Sequence, residues 1–303
     1  MSTETLNKNN GAPKANEVEE LEIDSRSYWQ DALIRFMRNK AAVASTVVLL
    51  AILLFVIFAP FFTHWNYEDI DWDNISSGPS SLHLLGTDEN GRDVLARIAY
   101  GGRISFTIGF LTAIFSIIIG VTYGAISGYF GGLVDSLMMR TLEVLDSLPS
   151  LFVIIMALVF FGNSLVTLIG LMSITGWYGK ARMIRSLTIA VKNREYIDAA
   201  KVIGVSNPKI VLKHIVPNLM STIVIYLSFS IPGAIAGESA LSYLGLGVQE
   251  PLASWGSLIA DGSSVMQVAP WLLFFPSLFL STTIFCFTFI GDGLRDALDP
   301  KDR

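Results

Sequence analysis

The residues of this chain whose spacing most suggests a working element lie between Lys180 and Pro217. Asp198, Ala199 and Ala200 are followed by Gly204, then by Pro208 and Pro217. Tyr196, Ala199, Ala200 and Ile203 recur at i, i+3, i+4 and i+7, one face of a helix, and Gly204 stands where a left-handed residue would end it. Ser206 or Asn207 offers a cap for a second short helix with Pro208 at its first position, and Pro217 closes the segment. A helix, a sharp glycine turn and another helix would present small side chains and one carboxylate on a surface, where a second protein can approach closely. An ordinary two-helix connector has the same local pattern.

Other groups that could do chemistry are few. Arg140, Glu143 and Asp146 fall at i, i+3 and i+6 beside an apolar run. An unpaired charge entering a membrane is costly, so they should pair with one another or face a polar crevice, as a gate or as a structural ion pair. Glu238, beside Ser239, could line a transport route, cap the following helix or pair with a neighbouring subunit. Cys286 is the single cysteine, which excludes an intrachain disulfide and a thiolate metal cluster. The stretch Gly176-Trp177-Tyr178-Gly179-Lys180-Ala181 has the wrong glycine spacing for a phosphate loop and lacks its final Ser or Thr. His64, His83 and His214 stand in loops, no His-Glu-x-x-His or Gly-x-Ser-x-Gly occurs, and Gly291-Asp292-Gly293 has no aspartate partner within a span. A self-contained hydrolase is therefore disfavoured, and no metal or cofactor site is expected in this chain.

The elements that must position these residues are membrane spans. Of 303 residues 52% are hydrophobic and only 16% charged, and the mean hydropathy is +0.54, which places the chain in a bilayer rather than in water. Runs of about 20 apolar residues mark candidate helices. Ala41 to Phe62 is the first and Ile104 to Val134 the second. The uncharged stretch from Ser147 to Gly179 is divided at Gly162-Asn163, giving a third span that begins near Met139 and a fourth. Asn218 to Gly237 and Pro270 to Gly291 are the fifth and sixth. The glycines from Gly120 to Gly132 suit close helix packing. The chain is thus expected to be an all-α polytopic membrane protein with six transmembrane helices.

Residues 1–40 form an N-terminal tail in which Met1 to Asp24 has the composition of a disordered segment. An amphipathic helix over 25–39 follows, with Tyr28, Trp29, Ala32, Leu33, Phe36 and Met37 on one side, Asp31, Arg35 and Arg38 opposite, and Ser27 and Gln30 at capping-box spacing. It suits either the membrane surface or the protein's own core. All of the 21 Lys and Arg except Arg92, Arg97 and Arg103 lie in the two tails, the connection after span two or the 180–217 loop. By the positive-inside rule these are cytosolic, so both termini are cytosolic and the acidic, aromatic loop 63–103 is extracytoplasmic. That loop could dock a soluble protein or simply be solvated. Trp255 and Trp271 read as interfacial anchors near span six. Neither related halves nor ionisable residues at mid-span favour an ion-driven transporter.

The run Asp198-Ala199-Ala200, with Gly204 and Pro217, resembles the cytosolic loop of ABC importer permeases, in which Glu-Ala-Ala is followed by a glycine and a proline at these spacings. Asp198 departs from the family's Glu, and His214 from its frequent Ile. Leu85 to Arg97 with Gly102-Arg103-Ile104-Ser105, the residues Gly131, Gly132, Asp135, Met139, Arg140, Ser147 and Pro149, the segment Glu238 to Gly247 with Ser254-Trp255-Gly256, and Gly291 to Pro300 narrow the resemblance to the oligopeptide, dipeptide and nickel group. Trp29 to Ala32, Val248 to Pro251 and the Pro300-Lys301-Asp302-Arg303 end are most similar to the C-type subunit of oligopeptide importers. The resemblance implies a type I ABC importer permease fold in the bacterial cytoplasmic (inner) membrane, with a permease core over 104–291 and a cytosolic tail over 292–303. It also implies a homologous permease partner, two ATP-binding subunits docked at 180–217 that bind ATP and Mg, an extracytoplasmic peptide-binding protein and surrounding membrane lipid. No nucleic-acid partner is implied. The expected cargo is oligopeptides, with dipeptides or nickel as the alternative.

Overall fold

The computed structural model describes residues 28–298. Among them the only β pairings are isolated bridges, Ile70 with Arg92 and Thr87 with Asp93, and the rest is helices and their connections. Expectations for 1–27, including the Ser27 capping box, and for 299–303 lie outside the described residues. Four helices are long and apolar enough to cross a membrane: α2 (Lys40–Phe62), α3 (Val94–Phe130), α11 (Met220–Tyr243) and α13 (Pro270–Leu298). Helices α4 (Gly132–Asp146) and α5 (Ser150–Phe161) are jointly long and apolar enough for a fifth crossing but are bent by 78°. Helix α6 (Leu165–Thr175) is apolar and shorter, and α7 (Tyr178–Lys192) follows it.

Several boundaries differ from those read from apolar runs, each for a local reason. Helix α3 begins at Val94 rather than Ile104, because Asp93 caps it by accepting from Ala96 N at 2.8 Å. Two arginines inside this first stretch had interrupted the apolar run. Arg97 is buried among carboxylates, and Arg103 donates to the Val56 and Ile57 carbonyls at 3.0 and 2.7 Å. The helix stops at Gly131, where the backbone turns to φ +66°. The expected third span starting near Met139 instead starts at Gly132 and breaks around Pro149, which has no N–H to continue the ladder and restricts the residue before it. Helices α11 and α13 run past the expected ends at Gly237 and Gly291, so Glu238 and Ser239 lie inside α11 and most of 292–303 is the last turns of α13.

Helix α3 is the centre of the bundle, and glycines decide how closely it is approached. Gly120, Gly124 and Gly128 repeat every four residues on one face, against α7. A Cβ on Gly124 would lie 2.4 Å from the Ala181 carbonyl oxygen, and one on Gly128 2.7 Å from that of Arg185. Only residues without a side chain let the two backbones meet. Lys192 closes the seam by donating to the Gly128 carbonyl at 2.7 Å.

Helix α1 (Tyr28–Arg38) packs one side of its amphipathic pattern on the protein itself. Ala32 is buried and Phe36 lies over Gly293 of α13. Trp29, Leu33 and Met37, one turn apart, remain exposed as an apolar stripe. Asn39 starts α2 by accepting from Ala42 N at 3.1 Å. The end of the bundle that carries α1 and the last turns of α3 and α13 is opposite the end that carries loop 63–93.

Candidate coupling interface

The segment from Asn193 to Leu219 folds as α8 (Glu195–Val202), α9 (Asn207–Ile210), a π turn (Val211–Ile215) and α10 (Val216–Asn218). Ile197, Ala200, Ile210 and Ile215 are buried against Ala125 of α3 and Ile184 of α7. This inward face fixes the segment on the α3–α7 seam. The apolar stripe read from sequence divides accordingly: Ala200 turns inward beside Ile197, whereas Tyr196, Ala199 and Ile203 face out.

Helix α8 ends in a complete Schellman turn. Gly204 has φ +82°; its N–H donates to the Lys201 carbonyl at 3.0 Å, and Val205 N–H donates to that of Ala200 at 3.0 Å. Ile203 and Val202 project from this turn at 79% and 86% exposure, values that leave two large apolar side chains without cover from the chain itself. Asp198 pairs at the surface with Lys201 at 2.9 Å and holds that ammonium above its ordinary range. Ser206 supplies the extended cap of α9 and Pro208 sits in its first turn. Tyr129 at the end of α3 donates to Asn207 Oδ1 at 2.8 Å.

Pro217 does not close the segment as expected. The helical path widens into the π turn, in which Val216 N–H bonds the Val211 carbonyl, and passes through Pro217 towards α11. A proline lacks the N–H that a regular turn would need there, so the added width accommodates it.

Arg140 and Glu143 pair at 3.2 Å on an exposed face, while Asp146 reaches instead to Arg182 of α7 at 2.7 Å. Sequence reasoning missed a tighter pair on the same side. Asp135, just after the Gly131-Gly132 turn, accepts from Arg185 Nε and Nη2 at 2.5 Å each and also from Ser127. It ties α4 to the α3–α7 seam. The available signal was a lone acid one turn after a double glycine, opposite a basic helix.

Glu238 and Ser239 are enclosed rather than open to a route through the single chain. Glu238 Oε1 accepts from Ser242 at 2.5 Å and from Ser254 at 2.6 Å. Ser254 is the capping-box residue of α12 (Trp255–Ser264), so Glu238 holds the start of that helix against α11. Trp255 is no interfacial anchor: it is fully buried, its indole N–H donates to the Ile98 carbonyl at 3.0 Å, and its backbone N–H donates to Ser105 Oγ at 3.1 Å. Gly102 leaves the space, since a Cβ there would lie 2.9 Å from the indole ring. Trp271 is half-buried and donates to the Thr87 carbonyl.

Loop 63–93 is pinned by a buried histidine that the sequence did not single out. His83 Nδ1 is 2.9 Å from Asp93 and Nε2 is 3.2 Å from Asp71, with Trp65 packed on the ring. The Asn74 amide, then His83, hold the Asp71 carboxyl below its ordinary range. Asp93 thus both caps α3 and anchors the loop. Among the described residues no His, Cys, Asp and Glu side chains are grouped as metal ligands.

A profile of the binding-protein-dependent transport system inner membrane component matches residues 116–303. The chain belongs to this family. Residues 27–79 match the N-terminal TM domain of oligopeptide transport permease C. The permease is 51% identical over 300 residues to the oligopeptide transport system permease protein OppC of Escherichia coli, covering 98% of this chain and 99% of that one. It is 50% identical over 291 residues to the OppC protein of Haemophilus influenzae, covering 95% and 94%. Its fold is that of a chain of the MetNI methionine ABC transporter in an inward-facing form, with a TM-score of 0.53 and 16% identity over 67% of this chain and 96% of that one. The permease is therefore a membrane component of type I ABC importer fold.

Proposed function

We propose that this permease is the C-type membrane subunit of an ATP-driven oligopeptide importer in a bacterial cytoplasmic membrane. The observation that carries the cargo is the identity, over nearly the whole length of both chains, to proteins named for oligopeptide transport. Six crossings follow when α4 with α5 counts as the third and α6 with the start of α7 as the fourth, which puts both termini and α8 in the cytosol and loop 63–93 outside. A homologous permease subunit completes the pathway, and an extracytoplasmic binding protein delivers peptide. Two ATPase subunits supply the ATP and Mg site, for which the permease contributes no residue.

In this reading Asp198, Ala199, Ala200, Gly204, Pro208 and Pro217 form the coupling loop. The exposed face of α8 around Ala199 and Ile203 meets an ATPase subunit. Its buried face, Ile197 and Ala200, bears on α3 and α7, so movement of the ATPase enters the spans as displacement of a rigid block. The Asp135–Arg185 and Asp146–Arg182 pairs carry α4 with that block, and Arg140 and Glu143 lie on the part of α4 that moves. Glu238 and Ser239 belong to a fixed joint at the outer end of the pathway.

Uptake of a labelled tripeptide to pentapeptide series, with and without the restored gene, tests this. Loss and rescue of uptake is the expected result. Peptide uptake that does not depend on the gene would overturn the oligopeptide cargo and leave dipeptides or nickel.

A further inference from the structure

Helix α1 meets its surroundings on three sides, and the bundle accounts for two of them. Ala32 is buried, and Phe36, one turn on, lies over α13, where a Cβ on Gly293 would come within 3.2 Å of its ring. Arg35 and Arg38 border a polar cleft of about 370 Å³ that they share with Asn39 and with Asp296 of α13. The third side carries Trp29, Leu33 and Met37, recurring every four residues. Leu33 and Met37 are 61% and 60% exposed and Trp29 is half-exposed, so the chain leaves this apolar stripe largely uncovered. At about 100° per residue, the stripe lies across the helix from Arg35 and Arg38, with the packed side between them.

The joint with α2 fixes where the stripe stands. Asn39 is the single residue between the two helices. Its N–H donates to the Phe36 carbonyl at 3.0 Å, its side chain accepts from Ala42 N at 3.1 Å, and its extended backbone, with ψ 97°, turns the chain. Bonds on both sides tie α1 to the foot of α2. That span becomes continuously apolar from Ala41, so the hydrocarbon begins within about one helical pitch, 5.4 Å, of the end of α1. A helix set there by its connection, apolar on one side and charged on the other, lies in the plane of the bilayer surface.

We propose that the stripe of Trp29, Leu33 and Met37 is a phospholipid-docking surface, sunk among the acyl chains of the leaflet in which α2 begins, with the Arg35 and Arg38 side in water. Docked in this way, α1 braces the ends of α2 and α13 against the leaflet, because Phe36 of α1 and Ala42 of α2 both close on Gly293 of α13. That the leaflet is the cytosolic one rests on the importer reading; the docking itself does not.

The assembled complex, carrying a fluorescent amino acid in place of Leu33, Met37 or Arg38, is placed in nanodiscs of phosphatidylethanolamine and phosphatidylglycerol. Doxyl groups near the start of the lipid tails should quench positions 33 and 37 about threefold more strongly than position 38, and aqueous iodide should show the reverse order. Iodide quenching at 33 and 37 equal to that at 38 would place the stripe in water and overturn the docking. Shielding of 33 and 37 from both quenchers would overturn it as well, because another subunit would then cover them. The brace is tested by Leu33→Asp combined with Met37→Asp, both at exposed positions: hydrogen exchange in the last turns of α13 should rise about tenfold in nanodiscs, while Leu33→Met combined with Met37→Leu keeps the wild-type rate. Unchanged exchange in the double aspartate variant would remove the brace. Quenching needs no transport, so its failure is distinct from failure of the importer reading, which uptake measures.

Discussion

At the end of the bundle that carries α12, polar groups close upon one another inside the chain: Glu238 on Ser242 and Ser254, the Trp255 indole on the Ile98 carbonyl, and His83 between Asp71 and Asp93. At the end that carries α8, Val202 and Ile203 stand in the open beside a Schellman turn, and a π turn loosens the path into α11. At the first end these groups bond one another within the chain. The second leaves Val202 and Ile203 exposed on a segment whose inner face packs on α3 and α7. Under the proposed function, this difference gives the α12 end the fixed joint and the α8 end the contact with a partner.

Variants at the two ends and at the seam between them should therefore fail in different ways. Trp255→Ala empties a fully buried site and removes the indole bond to the Ile98 carbonyl, so a loss of about 3–5 kcal/mol is expected, read as a fall in the thermal unfolding midpoint of the purified complex. Gly124→Val drives a side chain into the α7 backbone and should cost about 1–3 kcal/mol by overpacking, read in the same assay. Gly204→Val strains a left-handed cap by about 1–2 kcal/mol; its larger consequence should be loss of peptide-stimulated ATPase and uptake at near-normal permease abundance. Normal coupling in that variant would remove α8 from the mechanism.

The smallest of these effects is a pH response of loop 63–93. The Asp71 carboxyl is held below its ordinary value of 3.8 by Asn74 and His83. Its contribution is fully present above that value and is lost as the pH falls through the lower folded one. Hydrogen exchange in the loop should rise below about pH 3.8 in the wild type. Asp71→Asn should raise exchange at neutral pH and flatten the acid response. A wild-type loop with no acid response would detach Asp71 from the clasp.

How far the sequence foresaw each end follows from what held the residues in place. Long apolar runs gave α2, α3, α11 and α13 because burial in lipid depends on side-chain type alone, and Gly204 was legible because a left-handed helix end has few alternatives. The Gly120–Gly128 seam was legible for the same reason, since close backbone approach requires absent side chains. The first ten residues of α3 were hidden because Arg97 and Arg103 break the apolar run, and only the fold shows Arg97 paired with Asp88 and Arg103 bonded to the Val56 and Ile57 carbonyls. Pro217 misled because a π turn absorbed it. Trp255 looked interfacial until Gly102, Ser105 and Ile98, about 150 residues earlier, were seen to enclose it. His83 offered no signal, because its carboxylates come from two separate parts of the loop.

The central claim, that the exposed face of α8 recruits the ATPase, is tested most directly by co-purification of ATPase subunits with tagged permease carrying Ile203→Asp. Ile203 buries little of itself in the chain, so permease stability should change by less than about 0.5 kcal/mol. The account predicts normal permease yield and an unchanged melting midpoint, with ATPase recovery reduced at least tenfold. Full recovery of ATPase subunits with this variant would contradict it.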